Sequence, residues 1–375
     1  MKILADQNIP HSETFFGQLG QVVQAPGRNL TPEQVSDIDA LIVRSVTQVD
    51  ASLLANSPVK FVGTCTIGTD HLDIPYLNQR QISWASAQGC NANSVVEYVF
   101  TALAHVRPNW LNLSVGIIGC GNVGGHLYRK LRQLGVTVRV YDPFLNANDV
   151  PDLTTLEQVL KADIVCVHTP LTRGGPHPTL GLLGAAELAT MQTNAVLLNA
   201  GRGEVIDGAA LAAHLDAQPE FSAVLDVWEN EPNIDTALMQ RVSIATPHIA
   251  GYSYDGKIAG TEMIYQALCA HLGIEPQITA QQVLPANSTV QLCAIETTNA
   301  YPLAALLGQA YNILNDDHTL RTALSQAAEQ GRPLGPEFDA LRKNYPQRRE
   351  WHHFTQPAGK LADGLSQVLT TLGFK

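Results

Sequence analysis

The sequence is short of everything that marks a nucleic-acid binder, a membrane protein or an exported scaffold. Only 15% of its 375 residues are charged, and acids outnumber bases by 34 to 23, a net charge of −11. That balance disfavours nucleic acid and anionic membranes as main partners, because both recruit basic faces. No apolar run approaches the roughly 18 residues that a membrane span requires. The six cysteines (Cys65, Cys90, Cys120, Cys166, Cys269 and Cys293) include no CxxC pair, which argues against a disulfide framework or a zinc site. His71, His105, His126, His168 and His214 have no metal-ligand spacing, so no metal is expected and packing or surface roles are preferred for them. Met1–Asp6 runs straight into a strand-like segment without a basic-then-apolar leader, from which a cytoplasmic protein is expected.

What the chain does have is apolar residues, 45% of the total, enough for well-buried cores at a length too great for one. Three regions differ in pattern. In residues 1–93, Lys2–Ala5, Ala40–Val43, Val59–Val62 and Gln81–Trp84 read as strands separated by crossover-length segments. The first three run into polar residues: Asp6-Gln7, Arg44-Ser45 and Thr64–Thr66. In an open parallel sheet the carboxyl ends of strands border the ligand crevice, so Arg44, Ser45 and Thr66 are candidate substrate contacts. Residues 94–251 carry buried runs at Ser114–Ile118, Thr137–Tyr141, Asp163–Val167, Ala195–Leu198, Ser222–Leu225 and Val242–Ile244, alternating with helical stretches. The expected fold class is α/β, with two doubly wound parallel-sheet domains. Residues of about 252–284 are expected to complete the first domain. From 285 to 375 a strand-like Thr289–Ala294 precedes helical patterns at Leu303–Leu314, His318–Ala328 and Leu361–Leu372, with no phosphate loop or acid/base cluster.

The run Gly119-x-Gly121-x-x-Gly124 lies between a buried strand and a helix with Val123, Leu127, Leu131 and Leu134 on one face, the context a dinucleotide turn requires. Gly119 permits the tight turn, Gly121 admits a pyrophosphate to the backbone, and Gly124 lets the helix pack closely. Asn122 and Val123 open the helix, whose N–H groups favour phosphate. Asp142 follows at the end of the next strand. A carboxylate there accepts ribose hydroxyls and repels a 2′-phosphate, which points to NAD rather than NADP. The plain alternative for Asp142 is a turn residue before Pro143, and the rival for the loop is a methyltransferase.

Three further strands end in Leu198-Asn199-Ala200-Gly201-Arg202-Gly203, in Leu225-Asp226-Val227-Trp228-Glu229-Asn230-Glu231-Pro232 and in Ala245-Thr246-Pro247-His248-Ile249-Ala250-Gly251. Strand ends converge on one side of such a sheet, so Arg202, Glu231 and His248 can meet there. Oxidising a 2-hydroxy acid needs one group to hold the carboxylate, one to take the hydroxyl proton and one to tune that base. Gly-Arg-Gly, Asp-Val-Trp-x-x-Glu-Pro and Pro-His-Ile-Ala-Gly, together with Gly68-Thr69-Asp70-His71 and the glycine loop, resemble the motifs of the D-2-hydroxyacid dehydrogenases. The resemblance implies that Arg202 forks onto the substrate carboxylate, that His248 is the base and that Glu231 is its partner, with Glu229 left to solvent. It also implies that Thr169, Ala200, Gly201, Asp226 and Gly251 line the nicotinamide half of NAD, and that Ser45, Thr66 and Tyr252 bind a small phosphorylated 2-hydroxy acid. The same resemblance gives residues 285–375 as a dimerisation domain and the protein as a homodimer. Two alternatives stand beside this: another family activity such as that of D-3-phosphoglycerate dehydrogenase, and a non-enzymatic NAD-sensing binding protein.

Overall fold

The computed structural model describes residues 1–285, 290–295, 301–359, 361–362 and 364–375. By its contacts the chain forms two compact units, Met1–Asn91 with Ser253–Asn287, and Ala92–Tyr252 with Ser288–Lys375.

The sheet of the first unit contains β1 (Lys2–Asp6), β2 (Gln21–Ala25), β3 (Ala40–Val43), β4 (Phe61–Thr64) and β5 (Ser83–Ser86), all parallel, in the order β2-β1-β3-β4-β5. Alternate side chains leave opposite faces of a strand. Ile3, Ala5, Ala40 and Ile42 accordingly join one core with Phe15, Phe16 and the Ile258, Ile264, Tyr265 and Leu268 face of helix Tyr254–Leu272. Leu4, Leu41 and Val43 join the other with Leu54, Val62 and Leu77. Burial on both faces is why β3 reads as an unbroken apolar run. The sequence predicts four strands here, and β2 is the addition. It is an edge strand with Gln21 and Gln24 exposed, so its apolar pattern is too weak to stand out. β4 and β5 begin two residues later than the apolar pattern suggests.

In the second unit β6 (Val115–Ile118), β7 (Val138–Tyr141), β8 (Ile164–Val167), β9 (Val196–Asn199), β10 (Ser222–Leu225) and β11 (Ile244–Ala245) form a parallel sheet in the order β11-β10-β9-β8-β6-β7. The six expected strands are all present. Helices of the tail, Pro302–Ala310, Ile313–Glu329, Leu334–Lys343 and Leu365–Leu372, pack on both cores of this unit. Leu303, Leu306, Leu307, Trp351, Leu369 and Leu372 lie in one, and Leu320, Leu324 and Phe338 in the other. Lys130 Nζ, from the helix after the glycine loop, caps the last tail helix through the Thr371 and Leu372 carbonyls at 2.9 and 3.0 Å. Of the strand expected over Thr289–Ala294, only β12 (Val290–Gln291) forms, beside β13 (Phe354–Thr355), and Thr289 lies outside the described residues.

Strand order reverses between β1 and β3 in the first sheet and between β6 and β8 in the second. Ligands of such sheets lodge outside the carboxyl ends at these switch points. No helix among the described residues is long and apolar enough to cross a membrane.

Candidate active site

The glycine loop leaves β6 at the second switch point. Gly119 has φ +87°, a left-handed conformation that suits glycine, and its N–H donates to Tyr141 O at 2.8 Å. A Cβ on Gly121 would meet nothing within 4 Å, whereas one on Gly124 would strike the Gly119 carbonyl and come within 3.2 Å of Ile117. Gly121 therefore faces open space and Gly124 closes the helix onto the strand. Helix Asn122–Gln133 has no side-chain cap, so Asn122, Val123 and Gly124 begin a helix whose first N–H groups remain available to an anion. Asp142, at the end of β7, accepts from Cys120 N at 2.9 Å and Phe144 N at 3.1 Å, which ties the carboxylate to the loop. Across the switch point, at the end of β8, Thr169 Oγ1 and both ring nitrogens of His168 are shielded from solvent without a hydrogen-bond partner. Burial pushes the His168 imidazole down to about 4, so it is neutral at working pH. An open turn over a helix N-terminus, a carboxylate at β7 and orphaned polar groups at β8 fit a dinucleotide.

Gly201 and Gly203 flank Arg202 for packing reasons. A Cβ on Gly201 would lie 2.9 Å from Thr169 O, and one on Gly203 would collide with the Trp228 backbone. Buried Asn199 holds the turn, accepting from Gly201 N at 3.0 Å and donating to Arg202 O at 2.9 Å. Ala200 N bonds to Val167 O at 3.3 Å. The ends of β8, β9 and β10 are thereby clamped together around Arg202, whose Nη1 also donates to Gly201 O at 2.8 Å.

His248 and Glu231 meet. Nδ1 of the imidazole lies 2.7 Å from Glu231 Oε2, and Glu231 Oε1 accepts from Trp228 N at 2.9 Å. Burial raises the Glu231 carboxyl, but the His248 charge and hydrogen bond, Arg342 and the Trp228 N–H outweigh it and hold the group below its ordinary value. An ionised Glu231 requires the hydrogen on Nδ1, which leaves Nε2 as the acceptor. His248 itself has φ +57°, a strained position for a side-chain-bearing residue. Asp226 enforces it. Its main-chain carbonyl accepts from His248 N at 2.7 Å, Oδ1 from Thr246 Oγ1 and Ile249 N at 2.7 and 2.8 Å, and Oδ2 from Ala250 N at 2.9 Å. Asp226 is 1% exposed, and its carboxylate is turned onto the loop that carries His248 and Gly251. Glu229, expected in solvent, is half-buried and accepts from Gly208 N at 3.0 Å at the start of a helix.

In the first unit, Arg44 and Ser45 follow β3 and Thr66 follows β4; these strands are neighbours, with Cys65 N bonded to Val43 O at 2.9 Å. Arg44 Nε donates to fully buried Asp6 at 3.0 Å, so the guanidinium is oriented by the end of β1. Thr66 Oγ1 lies 2.7 Å from Thr64 Oγ1, which in turn lies 3.0 Å from His71 Nε2. The Thr47 hydroxyl is buried without a partner. Ser45 is exposed.

Sequence reading missed the contribution of the tail. Tyr252 packs edge-on against Tyr345, with centroids 5.8 Å apart, and Arg342 Cζ lies 5.7 Å from the centre of the Tyr252 ring. Arg348, itself buried, donates to Ala250 O at 2.6 Å. The available signal was spacing: Phe338 and Arg342 are four residues apart on one helix and share a face, and Phe338 is a core residue.

Residues 101–250 match the D-isomer specific 2-hydroxyacid dehydrogenase, NAD binding domain, and residues 283–373 match a domain of unknown function. The erythronate-4-phosphate dehydrogenase of Cellvibrio japonicus is 50% identical over 376 residues, covering 100% of both chains. That of Teredinibacter turnerae is 47% identical over 376 residues, covering 100% of this chain and 98% of the relative. The chain belongs to the D-isomer specific 2-hydroxyacid dehydrogenase family and is an NAD-dependent oxidoreductase. Among solved structures, the NAD-bound 3-phosphoglycerate dehydrogenase of Entamoeba histolytica has a TM-score of 0.64 at 22% identity, covering 74% of this chain and 98% of that one, a likeness of fold.

Proposed function

We propose that the protein oxidises 4-phospho-D-erythronate to (R)-3-hydroxy-2-oxo-4-phosphooxybutanoate with NAD, a step in the biosynthesis of pyridoxal 5′-phosphate. Similarity over the full length to relatives named for that activity carries the reading. Arg202 grips the substrate carboxylate through its planar fork and polarises C2. His248 Nε2 takes the C2 hydroxyl proton, and ionised Glu231 stabilises the imidazolium that forms. NAD, when bound, accepts the hydride. Gly119, Gly121, Asn122, Val123 and Gly124 would hold its pyrophosphate and Asp142 its ribose. Thr169, Ala200, Gly201, Arg202, Asp226 and Gly251 would lie along its nicotinamide half. The distal phosphate is assigned to Arg44, Ser45 and Thr66, with Tyr252 as a further substrate contact. The oriented guanidinium and the nearby hydroxyls of the first unit favour that assignment.

The domain plan assigns residues 1–93 and about 252–284 to substrate, 94–251 to NAD and 285–375 to dimerisation. Association into a homodimer through this tail rests on the family resemblance. A cytoplasmic location accords with the absence of any membrane-length helix among the described residues. A panel of phosphorylated and plain 2-hydroxy acids, read by NADH absorbance and mass spectrometry, tests the reading. Preferred turnover of 3-phosphoglycerate, or none of any acid, would remove it.

A further inference from the structure

We infer that Arg342, delivered by the tail helix Leu334–Lys343, is a positioning residue for the Glu231–His248 pair: it opposes the positive charge that His248 gains and so sets the pH range in which that base works. The inference rests on the proposed function only for its kinetic readout.

The geometry starts at the other end of the helix. A Cβ on Gly335 would lie 2.9 Å from Asn233 Oδ1 and 3.1 Å from Pro232 Cγ, so the helix begins against the two residues that follow Glu231. Seven residues on, about two helical turns, Arg342 reaches the Tyr252 ring, four residues beyond His248. Phe338, wholly buried on the same face, fixes the rotation of the helix. The Arg342 side chain is half-buried, and its Nε is closed to solvent with no hydrogen-bond partner. The rest of the guanidinium is hydrogen-bonded to Tyr252, which holds its charge beside the loop that carries His248.

The charges acting on Arg342 are those of Tyr252, Glu231 and Asp339, those acting on Glu231 are His248 and Arg342, and the loop that carries His248 also holds the Asp226 carboxylate. A cation beside this pair acts in two opposed ways. It keeps Glu231 ionised and turned onto the imidazole, and it repels the imidazolium. Glu231 pulls the other way, favouring the charged ring. The base therefore works among two carboxylates of the dehydrogenase sheet, Glu231 and Asp226, and a cation from the tail.

The signs are separable. In oxidation the rate rises with pH as His248 becomes neutral. Glu231→Gln should move that limb of the pH–rate profile to lower pH, and Arg342→Gln should move it to higher pH, by about half a unit or more. Arg342→Lys should leave it near its original place. KM for the acid reports separately on Tyr252, the proposed substrate contact that Arg342 packs against. The second readout needs no turnover: the His248 ring, followed by NMR in histidine-labelled protein without cofactor and assigned by its loss in His248→Asn, should titrate at higher pH in Arg342→Gln. If Arg342→Gln does not fold, Arg342→Met, which keeps the stem against Tyr252, carries the comparison. An unmoved profile and an unmoved ring titration would overturn the inference, as would a large rise in KM with the profile in place. Failure of the unaltered enzyme to oxidise 4-phosphoerythronate would sink the proposed function and leave the ring titration standing as the test.

Discussion

Asp226→Asn should both soften the second unit and slow catalysis, although the residue has no proton to give or take in the reaction. Its two carboxylate oxygens receive three bonds of 2.7–2.9 Å from groups that are themselves buried: Thr246 Oγ1, Ile249 N and Ala250 N. Asparagine supplies one oxygen and one amide nitrogen. The less costly orientation keeps the oxygen on Thr246 and Ile249 and turns the nitrogen toward Ala250 N–H, donor against donor. An orphaned buried N–H costs about 1–3 kcal/mol, and two charge-assisted bonds become neutral ones, so a loss of about 3 kcal/mol is expected. For a unit of this size that is a fall of about 6–12 °C in Tm. Together with the Asp226 main-chain carbonyl, which holds His248 N, the same bonds keep His248 at φ +57°, a conformation costing about 1–2 kcal/mol if left to itself. With the Ala250 bond lost and the other two weakened, the loop shifts the imidazole against its partner although the main-chain bond to His248 N remains, so kcat should drop about tenfold or more. The assays are thermal melting by circular dichroism without cofactor and NADH formation at saturating acid. Asp142→Asn, the same chemical change at a half-exposed carboxylate, serves as the control and should melt within about 2 °C of the unaltered protein. If Asp226→Asn also melts within 2 °C and keeps kcat within threefold, Asp226 does not brace the His248 loop.

Four further outcomes are expected. NAD should be preferred to NADP, with Asp142→Ala narrowing the gap in kcat/KM; equal use by the unaltered enzyme would refute the ribose assignment. Arg44→Ala should raise KM for 4-phosphoerythronate about ten- to a hundredfold more than for erythronate, and it should also lower Tm, since it strips the partner from buried Asp6. Burial, reinforced by Glu350, raises the Glu97 carboxyl well above its ordinary value, so the native state holds that proton more tightly than the unfolded chain. Its stabilising effect is then complete below about pH 4 and is lost as pH rises toward the folded value, and melting curves should fall less steeply with pH in Glu97→Gln. Truncation after Leu284 removes Leu306, Leu307, Leu320, Phe338 and Trp351 from the cores and should give insoluble protein; a soluble, folded product would show that the tail is dispensable to the second unit.

The sheets and the dehydrogenase chemistry were legible because each rests on short-range pattern. Ile117 and Val165 declare buried strands through their neighbours, Gly119 and Gly124 declare a turn by what a Cβ would hit, and Glu231 and His248 declare themselves by following strands that a parallel sheet must align. What escaped depends on distant partners. Asp226 looks like one more polar strand end, and only the fold brings three donors onto it. Arg44 looks free for a ligand until β1 brings Asp6 beside it. The tail looked chemically silent because one arginine in a helix has no motif, and β2 was lost because an edge strand carries glutamines where a central one carries valine.

Helix Tyr254–Leu272 supplies one whole face of the first core, yet residues 92–252 separate it from the strands it covers. A ribosome adding roughly 5–20 residues per second needs on the order of 10–30 s to cross that stretch. During this interval Ile3, Phe15, Phe16 and Phe61 belong to a nascent chain whose intended cover has not yet been made. The second sheet, by contrast, has all its strands before the helix emerges. Its cores, however, close only when Leu306, Leu320, Phe338 and Trp351 have been made, so the second unit waits longer still. Each unit thus carries an uncovered apolar face while its last helices are being synthesised, and those faces are where a chaperone would be needed.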